Sequence, residues 1–190
     1  MTYSTGGQTS LTEAARLETL FNEHFSAVRT YTRRRAPEAL VDDVVAETFL
    51  VAWRRINDLP PNTRPWLLGV ARKTLSTQLR SARRRSSLVE KLKIVERNEA
   101  FSPLDRPDST GVIASLERLS AIDQEILALA AWEQLKPRDA AVVMGMSPAR
   151  YRVRLHRAKR RLLRELQTSA TGSTAGQPVP VPLARHEVAK

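Results

Sequence analysis

A basic stretch near the C-terminus of this chain, residues 147–164, reads SPARYRVRLHRAKRRLLR. It carries eight lysine or arginine residues and no acidic residue. Apolar residues recur at the spacing of one helical face, at Tyr151, Leu155, Ala158, Leu162 and, just beyond, Leu166. Arginines form a second stripe one position out of step, at Arg150, Arg154, Arg157 and Arg161. The pattern predicts a helix that docks one face on a core and presents the neighbouring face to an anion.

The residues before this stretch have the turn chemistry of a helix-turn-helix. Residues 137–144 form a short, largely apolar segment, and Gly145 can turn the chain at positive φ. Ser147 is suited to the N-cap, and Pro148 to the first helical position. A helix, a glycine turn and a basic helix in this order predict a DNA-binding helix-turn-helix.

One alternative for the basic stretch is an ordinary solvated surface helix. Such a helix normally alternates acids and bases, because opposite charges three or four positions apart stabilise it. Here like charges repeat, and the first acid after Ser147 is Glu165. The lack of acids favours a partner outside the chain that neutralises the arginines.

The overall composition narrows the class of partner. The 190 residues carry a net charge of +11, which favours nucleic acid, anionic lipid or an acidic protein as partner. No apolar run approaches the roughly 18 residues of a membrane span. The polar start of the chain lacks the pattern of a signal peptide, so we expect a cytoplasmic location.

The sequence has no pattern typical of a cofactor site, a metal site or an enzyme. It contains no cysteine, which excludes disulfides and thiolate zinc ligands, and its three histidines, His24, His156 and His186, are scattered. It contains neither a Gly-rich phosphate loop nor a nucleophile elbow. We therefore expect no cofactor, no metal ion and no catalytic activity.

Hydrophobic periodicity predicts helices along most of the chain. A first helix starts after Ser10, with Glu13 completing a capping box. A second spans residues 41–56, with acids early and arginines late, as the helix dipole favours. A third spans residues 64–81, after a loop with paired prolines. Because no period-two strand pattern occurs, the predicted fold is all-α.

Breaks in this pattern divide the chain into two small helical domains. We expect a flexible N-terminus at residues 1–10 and a first domain at residues 11–99. A flexible linker at residues 100–111 contains three of the chain's prolines and glycines. The second domain, residues 112–167, contains the helix-turn-helix. Residues 168–190 are rich in small and polar residues, and we expect a disordered tail there.

Segments in both predicted domains resemble one protein family. Residues 42–54, DDVVAETFLVAWR, and residues 64–72, RPWLLGVAR, resemble the second domain of bacterial extracytoplasmic-function (ECF) sigma factors of the sigma-70 family. Residues 119–127, LSAIDQEIL, through residues 155–158, LHRA, are similar to the fourth domain of that family. The resemblance covers about residues 20–166, in the family's order and with its two-domain length.

The resemblance implies a protein that is no catalyst. It implies binding to core RNA polymerase, delivery of the polymerase to promoters, and recognition of the minus-ten and minus-thirty-five elements of promoter DNA. Many ECF sigma factors are held inactive by an anti-sigma factor between the two domains. The linker at residues 100–111 would permit such a partner here.

The resemblance also assigns three surfaces. The polymerase-binding residues would be Asp42, Asp43, Glu47, Trp53 and Arg54. The minus-ten residues would be Asn57, Asp58 and Asn62 as a base pocket, with Arg72, Lys73, Gln78 and Arg80 as a track for single-stranded DNA. The minus-thirty-five residues would be Arg150 and Arg154 at base edges, with Arg152, His156, Arg157, Arg160 and Arg161 at phosphates.

Several of these residues have a plainer interpretation. Early acids on a helix also complement its dipole, and Trp53 lies on the predicted apolar stripe, which favours packing over a polymerase contact. The chain departs from the family's pattern where Leu68 replaces a frequent aromatic residue and Lys73 replaces asparagine. Lys136 is a poor N-cap for the helix before Gly145.

Two other functions remain open at this level. A free-standing helix-turn-helix regulator would need the basic helix, but the acidic helix would then have no role. An interaction module that binds an acidic protein or RNA would explain the charge but not the turn residues before the basic helix. Co-purification with core polymerase distinguishes a sigma factor from both.

Overall fold

The computed structural model describes residues 5–89 and 110–173. Within these residues the chain folds into helices joined by short turns, with no strand. Their bounds are α1 Thr5–Arg33, α2 Glu38–Arg54, α3 Thr63–Val89, α4 Thr110–Glu117, α5 Ala121–Ala131, α6 Pro137–Met144 and α7 Pro148–Ser173. The all-α prediction is confirmed. Most of the predicted linker, residues 100–111, lies outside the described residues.

Three helices extend past their predicted ends. α1 begins at Thr5, so Ser10 lies inside the helix and is not its N-cap. α3 continues from the predicted end at Ser81 to Val89. Lengthening an existing helix adds one hydrogen bond per residue without a new nucleation cost, and arginine is a good helix former. α7 likewise runs on to Ser173, inside the segment expected to be a disordered tail.

The first three helices pack around a shared apolar core. The predicted inner stripe of α2 is buried, as Val41, Val44, Val45, Thr48, Phe49 and Ala52. From α1, the Phe21 ring lies 4.7 Å from that of Phe25 and 4.8 Å from that of Phe49, measured between centroids. Leu68 on α3 is fully buried, so the position where the family often has an aromatic residue belongs to the core here.

The caps of the helix-turn-helix follow the sequence prediction. Gly145 has φ +63°, the left-handed conformation that ends α6. The Ser147 hydroxyl accepts a hydrogen bond from the backbone N–H of Arg150 at 3.3 Å. Lys136 makes no side-chain capping bond at the start of α6. Ser120 caps α5 by accepting from the backbone N–H of Asp123 at 3.2 Å.

Tyr151 anchors the basic helix α7 to the rest of the fold. Its side chain is fully buried, and its hydroxyl donates a hydrogen bond to the backbone oxygen of Ile126 at 2.9 Å. Ala158 is buried two turns later on the same face. The predicted apolar stripe of α7 therefore docks on α5 and leaves the opposite face to solvent.

The two groups of helices pack directly against each other. α6 lies on α3, and one continuous core joins Leu67 and Ala71 of α3 to Ala140 and Val143 of α6. α6 passes close to Gly69 of α3, where a β carbon would lie 3.5 Å from the Cα of Val143, an ordinary van der Waals contact. The tertiary structure thus unites the two halves that the sequence pattern separates.

We expect this fold to lose stability at alkaline pH. Burial raises the pKa of Tyr151 to about 12, whereas an unfolded tyrosine titrates near pH 10. Between these values the unfolded chain releases a proton that the folded chain keeps. Tyr151 alone should therefore lower the free energy of unfolding by about 1.4 kcal/mol per pH unit between pH 10 and about pH 12. Urea titrations at several pH values measure this slope, and Tyr151→Phe should make it shallower.

Candidate nucleic-acid interface

The exposed face of α7 is a dense array of cations. Arg150, Arg152, His156, Arg157 and Arg160 are exposed, and Arg154 is half-buried. Among the described residues, none of the five arginines in this set has an ion-pair partner, because the helix carries no acid before Glu165. Uncompensated arginines on one helical face suit the closely spaced phosphates of duplex DNA.

Arg161 differs from the other arginines of α7. Its guanidinium is paired with the carboxylate of Asp123, whose side chain is only 6% exposed. This ion pair joins α7 to α5 and holds the helix in place. The Arg161 side chain is still 52% exposed, and its predicted contact with phosphate stays a prediction.

The outward face of α2 combines acids with large apolar side chains. Asp42, Asp43, Glu47 and Arg54 are exposed, and Asp42 Oδ1 lies 3.7 Å from Arg29 Nε. Trp53 is 43% exposed and Leu50 is 47% exposed. The sequence pattern favoured Trp53 as a core residue, and the structure corrects this: Trp53 lies outside the buried stripe of α2.

Leu50 was missed at the level of the sequence. It lies outside the buried stripe of α2, between the acids and Trp53 along the helix. The available signal was an apolar residue on an otherwise charged face. Exposed apolar groups ringed by charge are typical of a protein–protein contact.

The predicted base pocket after α2 is partly occupied by other contacts. Asn57 accepts a hydrogen bond from Arg16 Nη1 at 2.8 Å and donates one to Glu13 Oε1 at 2.7 Å. Asn62 donates to Asp139 Oδ1 of α6 at 2.8 Å. Asp58 is exposed. The structure therefore does not bring these three side chains together into one open pocket.

The predicted single-strand track is divided between faces of α3. Arg72 and Arg80 line a cleft of about 340 Å³ between α1, α3 and α5. Lys73 is exposed outside that cleft. Gln78 is half-buried, and its Oε1 has no hydrogen-bond partner in the part of the chain that the structure describes. Only Arg72 and Arg80 share one surface.

A buried charge cluster closes the deep end of this cleft. Arg35 donates from Nε to Glu125 Oε2 at 2.7 Å and from Nη1 to Glu133 Oε1 at 3.0 Å. Tyr31 donates its hydroxyl to Glu125 Oε1 at 2.8 Å, and its ring lies 3.7 Å from the Arg35 guanidinium carbon. Arg34 lies 3.3 Å from Glu133. Sequence reasoning found none of these residues.

Burial and neighbouring charges shift the pKa values of Tyr31 and Arg35 in this cluster. Burial, reinforced by the charge of Glu125, raises the pKa of Tyr31 well above its usual value, so the phenol stays a hydrogen-bond donor. Burial alone would lower the pKa of Arg35, but the neighbouring groups, Glu125 foremost, raise it overall. The cluster is therefore a pair of carboxylates held by a permanently charged guanidinium.

Two further negative results concern the described residues alone. In the ranges 5–89 and 110–173, no helix is long and apolar enough to cross a membrane. Within the same ranges, no three histidine, aspartate or glutamate side chains lie where they could hold a metal ion. The surfaces that stand out are the cationic face of α7 and the acidic-apolar face of α2.

Comparison with known proteins gives two family matches in chain order. A model described as Sigma-70 region 2 matches residues 20–85, and one described as Sigma-70, region 4 matches residues 111–162. The chain is 30% identical over 164 residues to the ECF RNA polymerase sigma factor SigL of Mycobacterium tuberculosis, covering 82% of this chain and 91% of SigL. It is 28% identical over 143 residues to the RNA polymerase sigma factor NccH of Alcaligenes xylosoxydans xylosoxydans, covering 70% of this chain and 76% of NccH.

The fold is also similar to a solved structure. The sigma factor RpoE from Bartonella quintana, determined in complex with the anti-sigma factor NepR, superposes with a TM-score of 0.60 at 21% identity. The superposition covers 79% of this chain and 96% of RpoE. At this identity the likeness concerns the fold alone.

Proposed function

Because this chain belongs to the ECF sigma factors of the sigma-70 family, we propose that it binds core RNA polymerase and directs it to specific promoters. Transcription takes place where the chromosome and polymerase are, so the proposed location is the cytoplasm. The polymerase supplies the chemistry of RNA synthesis, and this chain supplies recognition. We assign polymerase binding and minus-ten recognition to residues 11–99, and minus-thirty-five recognition to residues 112–167.

The observation that carries this proposal is the separation of charge between two surfaces. The α2 face presents Asp43 and Glu47 beside exposed Trp53, while the α7 face presents unpaired arginines. A regulator that binds duplex DNA unaided would use only the second face. An acidic-apolar surface remote from the DNA-binding helix favours a protein partner, which we take to be the polymerase.

The minus-thirty-five element is assigned to α7. The N-terminal residues of a recognition helix enter the major groove, which places Arg150 and Arg154 at base edges. Arg152, His156, Arg157 and Arg160 would contact phosphates. Arg161 would act through its ion pair with Asp123, by holding α7 in position on α5.

Arg150→Ala and Arg154→Ala should each relax base preference at the minus-thirty-five element. A bidentate arginine contributes about 1–3 kcal/mol of discrimination against a wrong base, so the ratio of affinities between cognate and mutated DNA should fall by that amount. Titrations of DNA at fixed salt measure both affinities. Arg160→Ala is the matched control, because a phosphate contact should weaken both DNAs equally. Equal weakening by Arg150→Ala and Arg154→Ala would contradict the assignment.

The minus-ten assignment draws on α3 and the loop before it. Arg72, Lys73, Gln78 and Arg80 are proposed to follow the single-strand backbone, with Asn57, Asp58 and Asn62 near the unstacked bases. Because Asn57 and Asn62 are engaged in other hydrogen bonds, base recognition there requires these contacts to rearrange. An anti-sigma factor is proposed as a third partner, on the strength of the family membership.

Reconstitution tests the function as a whole. Core polymerase freed of sigma factors should initiate at defined start sites on a broad promoter library only when this chain is added. If the chain protects DNA from nuclease cleavage in the absence of polymerase and does not change the start sites that polymerase uses, it is a free-standing regulator. A chain that neither associates with polymerase nor changes its start sites would contradict the proposal.

A further inference from the structure

We propose that the cleft between α1, α3 and α5 binds a small phosphate monoester, for which a nucleoside monophosphate is the simplest probe. The charged side chains among the described residues that line this cleft are Arg35, Arg72, Arg80 and Glu125. No described residue of α2 or α7 lines it, so the site is separate from the acidic-apolar face and from the recognition helix. Binding here would be a property of the free chain, beyond the proposed function and independent of it.

The charges around the cleft leave two arginines unbalanced. The buried cluster at its deep end contains two arginines and two glutamates, so the charges of that cluster cancel. Arg72 and Arg80 have no ion-pair partner within residues 5–89 and 110–173. Two unpaired cations beside one cleft favour a ligand that brings about two negative charges, and a phosphate monoester carries about −1.5 to −2 at pH 7.

Arg72 and Arg80 are placed to act on one ligand. They lie eight positions apart on α3, which is about two turns and roughly 12 Å along the helix axis, and both line the cleft. A guanidinium binds phosphate oxygens through two parallel N–H donors, which adds geometric specificity to the attraction of charge. The two side chains therefore suit a phosphate group that lies between them.

The deep end of the cleft also contains a donor without an acceptor. The side chain of Arg35 is 4% exposed, and its Nε and Nη1 are hydrogen-bonded to glutamates. Its Nη2 has no hydrogen-bond partner in the described part of the chain. Buried donors are nearly always satisfied, because an unmade hydrogen bond there costs free energy. A phosphate that enters to this depth, displacing the side chains that cover Nη2, would supply the acceptor.

Glu125 does not oppose an anion as a free carboxylate would. Its Oε1 accepts a hydrogen bond from the Tyr31 hydroxyl at 2.8 Å, and its Oε2 accepts one from Arg35 at 2.7 Å. Burial, reinforced by the charge of Glu125, raises the pKa of Tyr31, so the phenol remains a donor. The negative charge of Glu125 is thus balanced inside the buried cluster.

The remaining lining residues suit an organic ligand. Leu75, Leu79 and Ala121 provide an apolar wall, and Ser76 provides a hydroxyl group. The volume of about 340 Å³ lies within the range of about 300–1,000 Å³ for small-molecule sites, which combine apolar walls with a few polar groups. Although Arg72 and Arg80 are also assigned to the single-strand track, a cleft of this size with a closed end favours a small molecule over an extended strand.

Calorimetric titration of the free chain with AMP tests the site. AMP should bind with one-to-one stoichiometry, and adenosine should bind at least about tenfold more weakly, because it lacks the charged hydrogen bonds of the phosphate. Inorganic phosphate should also bind more weakly than AMP, since it leaves Leu75 and Leu79 uncovered. If AMP binds no more tightly than adenosine, the site does not recognise phosphate. If inorganic phosphate binds as tightly as AMP, the monoester part of the proposal is wrong.

Ala121→Glu places a carboxylate in the cleft and should lower the affinity for AMP at least about tenfold. An acid in the first turn of a helix is favourable, so α5 should still form. Ile122→Glu is the matched control, because it adds the same charge one residue along the helix, at a 43% exposed position that does not line the cleft. Its affinity for AMP should stay within about twofold of that of the unmodified chain. Equal losses in the two variants would show that net charge, and not the cleft, governs binding.

Arg80→Met is a second test, which removes one of the two unpaired cations. It should weaken AMP binding at least about tenfold, the effect of losing a charged hydrogen bond. Arg55→Met removes the same side chain from an exposed position outside the cleft and should leave the affinity within about twofold. Circular dichroism should show equal helix content in all variants. Unchanged AMP binding by a folded Arg80→Met would overturn the proposal.

These titrations contain neither polymerase nor DNA, so their outcome is independent of the proposed function. Failure of AMP to bind would strike out the cleft site while initiation by polymerase with the unmodified chain continued. Failure of the proposed function would appear instead as absent initiation, with AMP binding intact.

Discussion

Replacing Trp53 with alanine should weaken the binding of core polymerase by about 2 kcal/mol, roughly thirtyfold, with little effect on folding. The indole is 43% exposed and lies beside exposed Leu50 on the acidic face of α2. Aromatic side chains in this setting often dominate a protein–protein contact, because they bury much apolar surface within a ring of polar groups. Titration of labelled chain with sigma-free polymerase measures the change.

Two companion variants make this result specific. Asp43→Arg should also weaken polymerase binding, chiefly through slower association that depends on salt, as expected for an exposed charge. Leu163→Ala removes a still more exposed apolar side chain, 59% against 43%, from α7 and should leave the α2 contact intact. If Trp53→Ala binds polymerase with unchanged affinity, the polymerase contact is not on this face. If it unfolds instead, Trp53 is a core residue after all.

Tyr151→Ala should cost about 3–5 kcal/mol in the free energy of unfolding, the range for large aromatic residues truncated in a core. The side chain is fully buried beneath α7, and its hydroxyl bonds the Ile126 oxygen. Since small proteins have only about 5–15 kcal/mol in total, the variant should lose a large share of its stability. Urea unfolding followed by circular dichroism measures the loss.

Tyr151→Ala should also strongly weaken the binding of duplex DNA. α7 would lose its dock on α5, so duplex binding should fall on every sequence alike. Tyr151→Phe is the matched control: it keeps the ring and loses one hydrogen bond, which costs about 1 kcal/mol. A loss below about 1 kcal/mol for Tyr151→Ala would show that α7 does not depend on this anchor.

The sequence predicted the local features of the fold well. The glycine turn at Gly145 and the serine cap at Ser147 lie where it placed them. The buried stripes of α2 and α7 also agree with it. These features depend on residues within four positions of one another, so their spacing along the chain is sufficient information.

The predicted site residues show where such reasoning stops. The predicted DNA-contacting arginines of α7 are exposed as expected, apart from the half-buried Arg154, but Arg161 is also bound to Asp123. Nothing near Arg161 in sequence marks it out from Arg157 or Arg160. Its partner lies 38 residues away, and only the docking of α7 on α5 brings them together.

The burial of Trp53 and of Arg35 could not be predicted from residue type. By residue type, the tryptophan belongs inside and the arginine outside. The structure leaves Trp53 43% exposed, outside the buried stripe of α2, and it buries Arg35 between two carboxylates from the second group. Whether a side chain is buried depends on which other elements pack against its helix, and the sequence of that helix does not contain this information.

By itself, then, the sequence determined most of the helices, the turn at Gly145 with the cap at Ser147, and the separation of acidic from basic surfaces. These follow from short-range spacing, turn chemistry and charge, whereas the family followed from the resemblance of its motifs. Only the tertiary structure decided that α6 rests on Gly69, that Arg35 meets Glu133, and that Asn62 is engaged by Asp139. Those contacts join residues 74 to 98 positions apart, and their free energy depends on the desolvation and close packing of surfaces that meet only when the whole chain has folded.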